Sequence, residues 1–271
     1  MKLFEQTTRR QALGTLAKVT AGFMAFLATK KVKATVSKVV STSAPKDYDP
    51  TKHRWCYVID IEKCIGCGLC VEACKEENHV VASPAYFRTW VERYIIKKAK
   101  PGSGEMRGET VVDSPNGGTG GFPPALVPRE QILKSFFVPK LCNHCRESPC
   151  VQACPVGATF DSPDGVVLVD PKYCIGCGFC IQACPYGCRF LNPVTHTAEK
   201  CSFCYHRITR GLKPACVEVC PTGTRLFGDL MNPVEHDPIQ EFIQKNKTQV
   251  LKPHLGTHPQ LLYAGMDKEV R

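Results

Sequence analysis

Sixteen of the eighteen cysteines fall into four quartets: Cys64, Cys67, Cys70 and Cys74; Cys142, Cys145, Cys150 and Cys154; Cys174, Cys177, Cys180 and Cys184; and Cys201, Cys204, Cys216 and Cys220. The first and third have the spacing C-x2-C-x2-C-x3-C, and the other two are looser. Three thiolates a few residues apart lie on one tight loop and can hold three irons at the corners of a cube. The fourth cysteine sits one helical turn further on, points away, and ligates a second cluster. Gly66, Gly68, Gly176 and Gly178 let the two tight loops turn sharply and bring backbone N–H groups close to sulfur. Pro155, Pro185 and Pro221 redirect the chain after the last cysteine of three quartets. The chemistry this spacing predicts is one-electron transfer through four 4Fe–4S clusters.

The elements that must hold these loops are short. WCYVIDI, residues 55–61, reads as a strand leading into the first quartet, and YFRTWVERYIIKK, residues 86–98, as strand or hairpin. Residues 101–124 are so rich in glycine and proline that a long irregular loop is expected, of the kind that forms an interface. A C-terminal helix starts at Asp237-Pro238-Ile239-Gln240, with Ile239, Phe242 and Ile243 on its buried face. CIGCGLCVEAC at 64–74 matches CIGCGFCIQAC at 174–184 at eight of eleven positions, and PCVQACPVGA at 149–158 resembles ACVEVCPTGT at 215–224. This internal repeat implies duplication of a unit with two quartets. Taken alone, it would couple the first quartet with the second and the third with the fourth.

The rest of the composition narrows the partners. The apolar share is 43%, and it falls to about 36% once cysteine is set aside, low for an ordinary hydrophobic core. The formal charge of +10 would suggest nucleic acid or an anionic surface. Residues 1–46, however, carry nine Lys or Arg against the single acid Glu5, so the remaining chain is close to neutral and no nucleic-acid partner is expected. Thr8-Arg9-Arg10-Gln11-Ala12-Leu13 before an apolar run resembles a twin-arginine export signal, with a weak cleavage site after Val32-Lys33-Ala34. No other stretch reaches the ~18 apolar residues that span a bilayer. Such export carries proteins already folded in a reducing compartment, which argues against disulfides. Zinc sites use well-separated ligand pairs rather than triplets with a distant partner. Cys56 and Cys188 stand outside the quartets and read as small buried hydrophobes. His144 reads as a neighbour that tunes a cluster rather than as a ligand.

CIGCGLCVEACKEEN, PKLCNHCRESPCVQACPVGA, DPKYCIGCGFCIQACPYG and KCSFCYHRITRGLKPACVEVCPTGTRLFGDL together resemble the four-cluster ferredoxin-type electron-transfer subunits of DMSO reductase superfamily complexes. These include the iron–sulfur subunits of tetrathionate, polysulfide and DMSO reductases and of cytochrome c nitrite reduction systems. The resemblance implies an α+β fold of tandem two-cluster ferredoxin-like modules, short strands and helices around four clusters, with a loop-rich insert at 78–140. Its domain reading is a leader at 1–34, a linker at 35–54, the four-cluster domain at 55–228, and a C-terminal helix and tail at 229–271.

The family also implies interlocked ligands, the first motif with the fourth and the second with the third. One cluster then takes Cys64, Cys67, Cys70 and Cys220, and its neighbour takes Cys201, Cys204, Cys216 and Cys74. The inner pair takes Cys142, Cys145, Cys150 and Cys184, and Cys174, Cys177, Cys180 and Cys154. No catalytic residue is implied. The chain would be a periplasmic wire between an integral membrane quinone-reactive subunit and a catalytic oxidoreductase subunit of molybdopterin type, held to the membrane through that partner. The insert is expected to be a docking surface, so that deleting residues 101–124 impairs assembly while leaving cluster content intact. The same wire in a hydrogenase, nitrite reductase or sulfur-metabolism complex is the alternative, and a freely diffusing multi-cluster ferredoxin is one of another class.

Overall fold

The computed structural model describes residues 44–231 and 238–270. The export leader and the Asp237 cap expected from the sequence lie outside them. Eleven strands and six helices follow along the described chain. The strands are β1 (Trp55–Asp60), β2 (Thr89–Lys98), β3 (Arg107–Asp113), β4 (Ile132–Leu141), β5 (Thr159–Asp161), β6 (Val167–Val169), β7 (Phe190–Leu191), β8 (Ala198–Glu199), β9 (Arg225–Asp229), β10 (Thr248–Gln249) and β11 (Leu261–Ala264). The helices are α1 (Leu69–Glu77), α2 (Pro149–Gln152), α3 (Phe179–Gln182), α4 (Tyr205–Ile208), α5 (Ala215–Glu218) and α6 (Pro238–Lys245). The fold is α+β, with mixed short helices and small sheets around the cysteine loops.

A four-stranded sheet, in the order β10-β11-β1-β9, forms the frame. Strand β1 pairs antiparallel with β9, placing Ile59 opposite Arg225, and parallel with β11, placing Tyr57 opposite Leu261. The aromatic and β-branched residues of β1 suit a strand covered on both faces. Tyr57 and Ile59 enter the main core with Val71, Leu261 and Tyr263, while Cys56 and Val58 face a second cluster closed by Ile239, Phe242 and Ile243 of α6. Full burial of Ile239 is worth about 1.5–3 kcal/mol, which fastens α6 to the sheet. Because β1 leads into the first cysteine loop and β9 leaves the fourth, their pairing draws the two ends of the cysteine-rich chain together. Helix α1 packs on α5, and α2 packs on α3.

Three features differ from the sequence reading. Residues 101–124 are not one irregular loop, because Arg107–Asp113 forms β3 on the edge of a second sheet of order β3-β2-β4. RGETVVD has no polar–apolar alternation to mark it, since its only two apolar side chains, Val111 and Val112, are adjacent, and glycines and prolines surround it. Residues at the end of the expected linker make defined contacts with the body: Tyr48 donates to Asp164 at 2.7 Å and accepts from the Trp55 indole at 2.9 Å. The tail beyond 229 supplies β11 to the central sheet, where its neighbour β1 had no other parallel partner.

Beyond β11 the chain is tied to the second sheet. Asp267, with its side chain 5% exposed, accepts from Arg107 at 3.0 Å and from Lys134 at 3.0 Å. Burial would raise this carboxyl, but the two hydrogen bonds hold it below the usual carboxylate range. Its stabilisation is therefore present above the unfolded carboxylate value of about 3.9 and fades as pH falls through the lower folded value. Asp267→Asn should remove about 1 kcal/mol, lowering Tm by about 2–4 °C at pH 7. In thermal melts the difference from the parent chain should shrink below about pH 4.

Candidate metal centres

None of the eighteen cysteines is paired in a disulfide, and the fold gathers most of the predicted ligands around three recesses. Cys64, Cys67 and Cys70 meet Cys220 around a recess of about 320 Å³, together with Gly66, Gly68 and Arg225. Cys74 meets Cys201, Cys204 and Cys216 around one of about 280 Å³, beside Tyr57, Asn78 and Phe203. Cys142, Cys145 and Cys150 meet Cys184 around a third of about 300 Å³, with Arg189 and Tyr186. The remaining four stand beyond the third recess. Cys180 shares a buried cluster with Cys150, Val167 and Ala198, Cys174 packs against it, Cys154 is half-buried and Cys177 is exposed. The simple duplication coupling, first with second and third with fourth, does not describe these groupings.

The local chain shows why they form. In the first loop Gly66 and Gly68 adopt φ of +69° and +80°, a region disfavoured for side chains. A Cβ on Gly68 would stand 2.1 Å from the Gly118 carbonyl oxygen. The loop is thus pressed against the insert between β3 and β4, whose Gly120 amide also bonds Glu72 of α1 at 2.9 Å. Deleting residues 101–124 would remove this contact with the first loop. On α1, Cys70 and Cys74 lie one turn apart and open into different recesses.

The donor set suits iron–sulfur clusters. Among the described residues no group of three or more His, Cys, Asp or Glu is arranged to hold a metal ion; the sulfurs stand instead around a space, as a cube of iron and sulfide requires. Burial pushes the Cys64 thiol up to about 11 and the Cys145 thiol up to about 12. Four buried thiolates collected in one place need a cationic core to offset them. Donors already point at sulfur: Thr159 N–H to Cys154 at 3.5 Å, Ala198 N–H to Cys174 at 3.4 Å, and Phe203 N–H to Cys201 at 3.4 Å. The Asn78 amide reaches both Cys74 and Cys204 at 3.6 Å.

Several residues at these centres carry no spacing signal. Cys188 is buried as the sequence reading holds, yet it is no bystander: its hydrogen bond draws the Cys184 thiol down to about 5. His144 is fully buried, stacks on Phe203 at 3.7 Å and accepts from the Val167 N–H at 3.0 Å. Its burial holds the imidazole well below its usual pKa, so it stands as a neutral neighbour beside the Cys142 and Cys145 loop. Arg225, Arg189 and Lys200 were not singled out by motif at all. Only their burial reveals them.

A chain folded around four cysteine groups, with donors aimed at sulfur, has the build of a ferredoxin-type electron carrier. Family models described as 4Fe-4S dicluster domains match residues 63–158 and 133–230. A tetrathionate reductase subunit from Salmonella typhimurium is 37% identical over 218 residues, covering 80% of this chain and 74% of that protein. The tetrathionate reductase subunit of the same name from Archaeoglobus fulgidus is 43% identical over 213 residues, 79% of this chain and 83% of its own. Protein NrfC of Escherichia coli is 37% identical over 238 residues, 87% and 92% respectively. This chain belongs to that family of iron–sulfur electron-transfer subunits of oxidoreductase complexes. It carries four 4Fe–4S clusters and is an electron-transfer rather than a catalytic subunit.

The two tight loops differ in their surroundings, which gives a direct test. Gly68 is jammed against Gly118, whereas a Cβ on the equivalent Gly178 would meet nothing within 4 Å. Gly68→Ala should lose about one cluster, a quarter of the iron per chain, while Gly178→Ala retains the full complement at a backbone cost of about 1–2 kcal/mol. Iron and protein assays on the purified chains check both.

Proposed function

We propose that this chain is the periplasmic wire of a membrane-associated reductase complex. It passes electrons between an integral membrane quinone-reactive subunit and a catalytic subunit of molybdopterin type. The observation that carries the reading is the series of cysteine groups, with exposed apolar residues on the first and third loops, which hold the triplets of its two end groups. Ile65 and Leu69 are exposed on the first loop, and Tyr173, Ile175 and Phe179 on the third, around exposed Cys177. A carrier between two fixed partners needs an entry and an exit of this kind, and apolar patches ringed by polar surface suit docking. Among the described residues no helix is long and apolar enough to cross a membrane, so membrane attachment falls to a partner. The names of the tetrathionate reductase relatives support a reductase as the catalytic partner.

Within the chain the ligands divide as the family implies. One set is Cys64, Cys67, Cys70 and Cys220, and the next is Cys201, Cys204, Cys216 and Cys74. The third is Cys142, Cys145, Cys150 and Cys184, and the last is Cys174, Cys177, Cys180 and Cys154. The three recesses lined by the first three sets support this division. Each 4Fe–4S cluster, when bound, supplies a one-electron acceptor and donor. The protein's part is to hold its position, exclude water and set its potential. Val71, Tyr57 and Phe203 shield the inner sulfurs from solvent, and the backbone and Asn78 donors favour the thiolate form.

The division is tested by cysteine variants of the whole chain. Cys220→Ser and Cys64→Ser should perturb the same cluster signal in electron paramagnetic resonance, and Cys74→Ser and Cys216→Ser another. Were Cys220→Ser to track Cys201→Ser instead, the division would be wrong.

Export and partnership have their own test in a host that carries the native complex. Arg9→Lys with Arg10→Lys should leave the chain in the cytoplasm, and the tagged parent chain should co-purify with a molybdenum-containing and a membrane-embedded subunit. Purification as a lone soluble monomer would favour the freely diffusing ferredoxin.

A further inference from the structure

Five Lys or Arg residues are buried among the described residues: Arg93, Lys140, Arg189, Lys200 and Arg225. Two of them meet carboxylates, Arg93 with Asp113 and Lys140 with Glu92 at 3.5 Å. Arg189, Lys200 and Arg225 make no ion pair with a carboxylate among the described residues. Asp161 does feel Arg189 and Lys200 electrostatically, but it is exposed and bonded to Ser148 at 3.0 Å. A buried charge without a partner is strongly destabilising. Three such charges in one small body call for negative charge close at hand.

Their surroundings are sulfur. Arg225 lines the recess of Cys64, Cys67, Cys70 and Cys220, and donates to Tyr57 Oη at 3.2 Å and Thr89 Oγ1 at 3.0 Å. Tyr57 Oη lies 3.3 Å from Cys216 Sγ in the neighbouring recess, so this guanidinium and its partner reach from one sulfur group to the next. Lys200 Nζ donates to the Cys201 carbonyl at 2.7 Å and to the Val167 carbonyl, and interacts with Cys142, Cys201 and Cys150. It stands between the second and third groups. Arg189 donates to Cys150 Sγ at 3.0 Å and to Thr159 Oγ1 at 3.3 Å, leaves its Nε without a partner, and interacts also with Cys142 and Cys180. It stands between the third and fourth groups.

We propose that Arg225, Lys200 and Arg189 are fixed counter-charges, one at each junction of neighbouring clusters, that raise the reduction potential of both clusters they touch. This inference rests on the ligand division proposed above. A cluster with four thiolates is an anion and gains one more negative charge on reduction. A cation held in a low-dielectric junction favours the reduced form on either side. It also weakens the repulsion that an electron on one cluster exerts on an electron arriving at the next. These are positioning residues that act through charge, and none is a ligand.

The test is a redox titration of the cluster-loaded chain followed by electron paramagnetic resonance, with iron content measured alongside. Arg225→Gln keeps hydrogen-bonding reach but loses the charge, and Arg225→Lys keeps the charge. The Gln variant should lower the potentials of the first and second clusters, disfavouring reduction by tenfold or more, about 59 mV for each one-electron couple. The Lys variant should stay near the parent values. Lys200→Gln should shift the second and third clusters, and Arg189→Gln the third and fourth.

Unchanged potentials in Arg225→Gln, or equal shifts in the Gln and Lys variants, would overturn the proposal. If Arg225→Gln fails to retain iron, restoration by Arg225→Lys supports the role of charge, and loss in both overturns it. Parent chains well short of four clusters, or cysteine variants that group differently, would sink the ligand division instead. The two failures are therefore distinguishable.

Discussion

A cysteine one helical turn beyond a triplet is carried about 6 Å along the helix axis and opens into a neighbouring recess, and the fold is built on this exchange. Cys70 and Cys74 share α1 yet open into different recesses, and Cys216 and Cys220 around α5 do the same in reverse. Two segments that exchange a cysteine in this way must lie side by side. The chain meets the demand by pairing β1 with β9 and packing α1 on α5. Segments far apart in sequence are thereby interlocked. The apolar core is then free to be thin, because cysteine loops rather than oily side chains fill much of the interior.

How much of this could be read beforehand depended on whether a residue acts through spacing or through surroundings. The quartets, the tight glycine turns, β1 and α6 were legible because each has a local period or a fixed offset. The Gly-Pro stretch concealed β3, since RGETVVD carries no alternation and only two adjacent valines among strong loop signals. The tail concealed β11, because four residues reading LLYA say nothing about a parallel partner some two hundred positions earlier. The internal repeat misdirected the grouping of loops: duplication records ancestry along the chain, whereas grouping follows contacts in space. Cys188 and the three buried cations were invisible for a related reason. Their chemistry comes from what lies beside them after folding.

Charge tells a similar story at two scales. Overall, the positive balance is concentrated in the first forty-six residues, and the rest is nearly neutral. Locally, that nearly neutral body holds three of its five buried cations, Arg189, Lys200 and Arg225, next to sulfur, apart from the buried Asp60, Asp164 and Asp229. Net charge alone would have missed this division, which sets the electrostatic environment of any electron crossing the molecule.

The parallel pairing of β1 with β11 has a consequence for biogenesis. Strand β1 emerges early in synthesis, but one of its edges has no partner until residues near 261 have been made. Closing so long a loop is entropically slow, and a strand edge left open meanwhile can pair with another chain. The frame that brackets the first and fourth cysteine segments is therefore completed only after β11 has cleared the ribosome. A chain truncated just before Leu261 would lack β11 and leave a folding intermediate with a permanently unpaired edge.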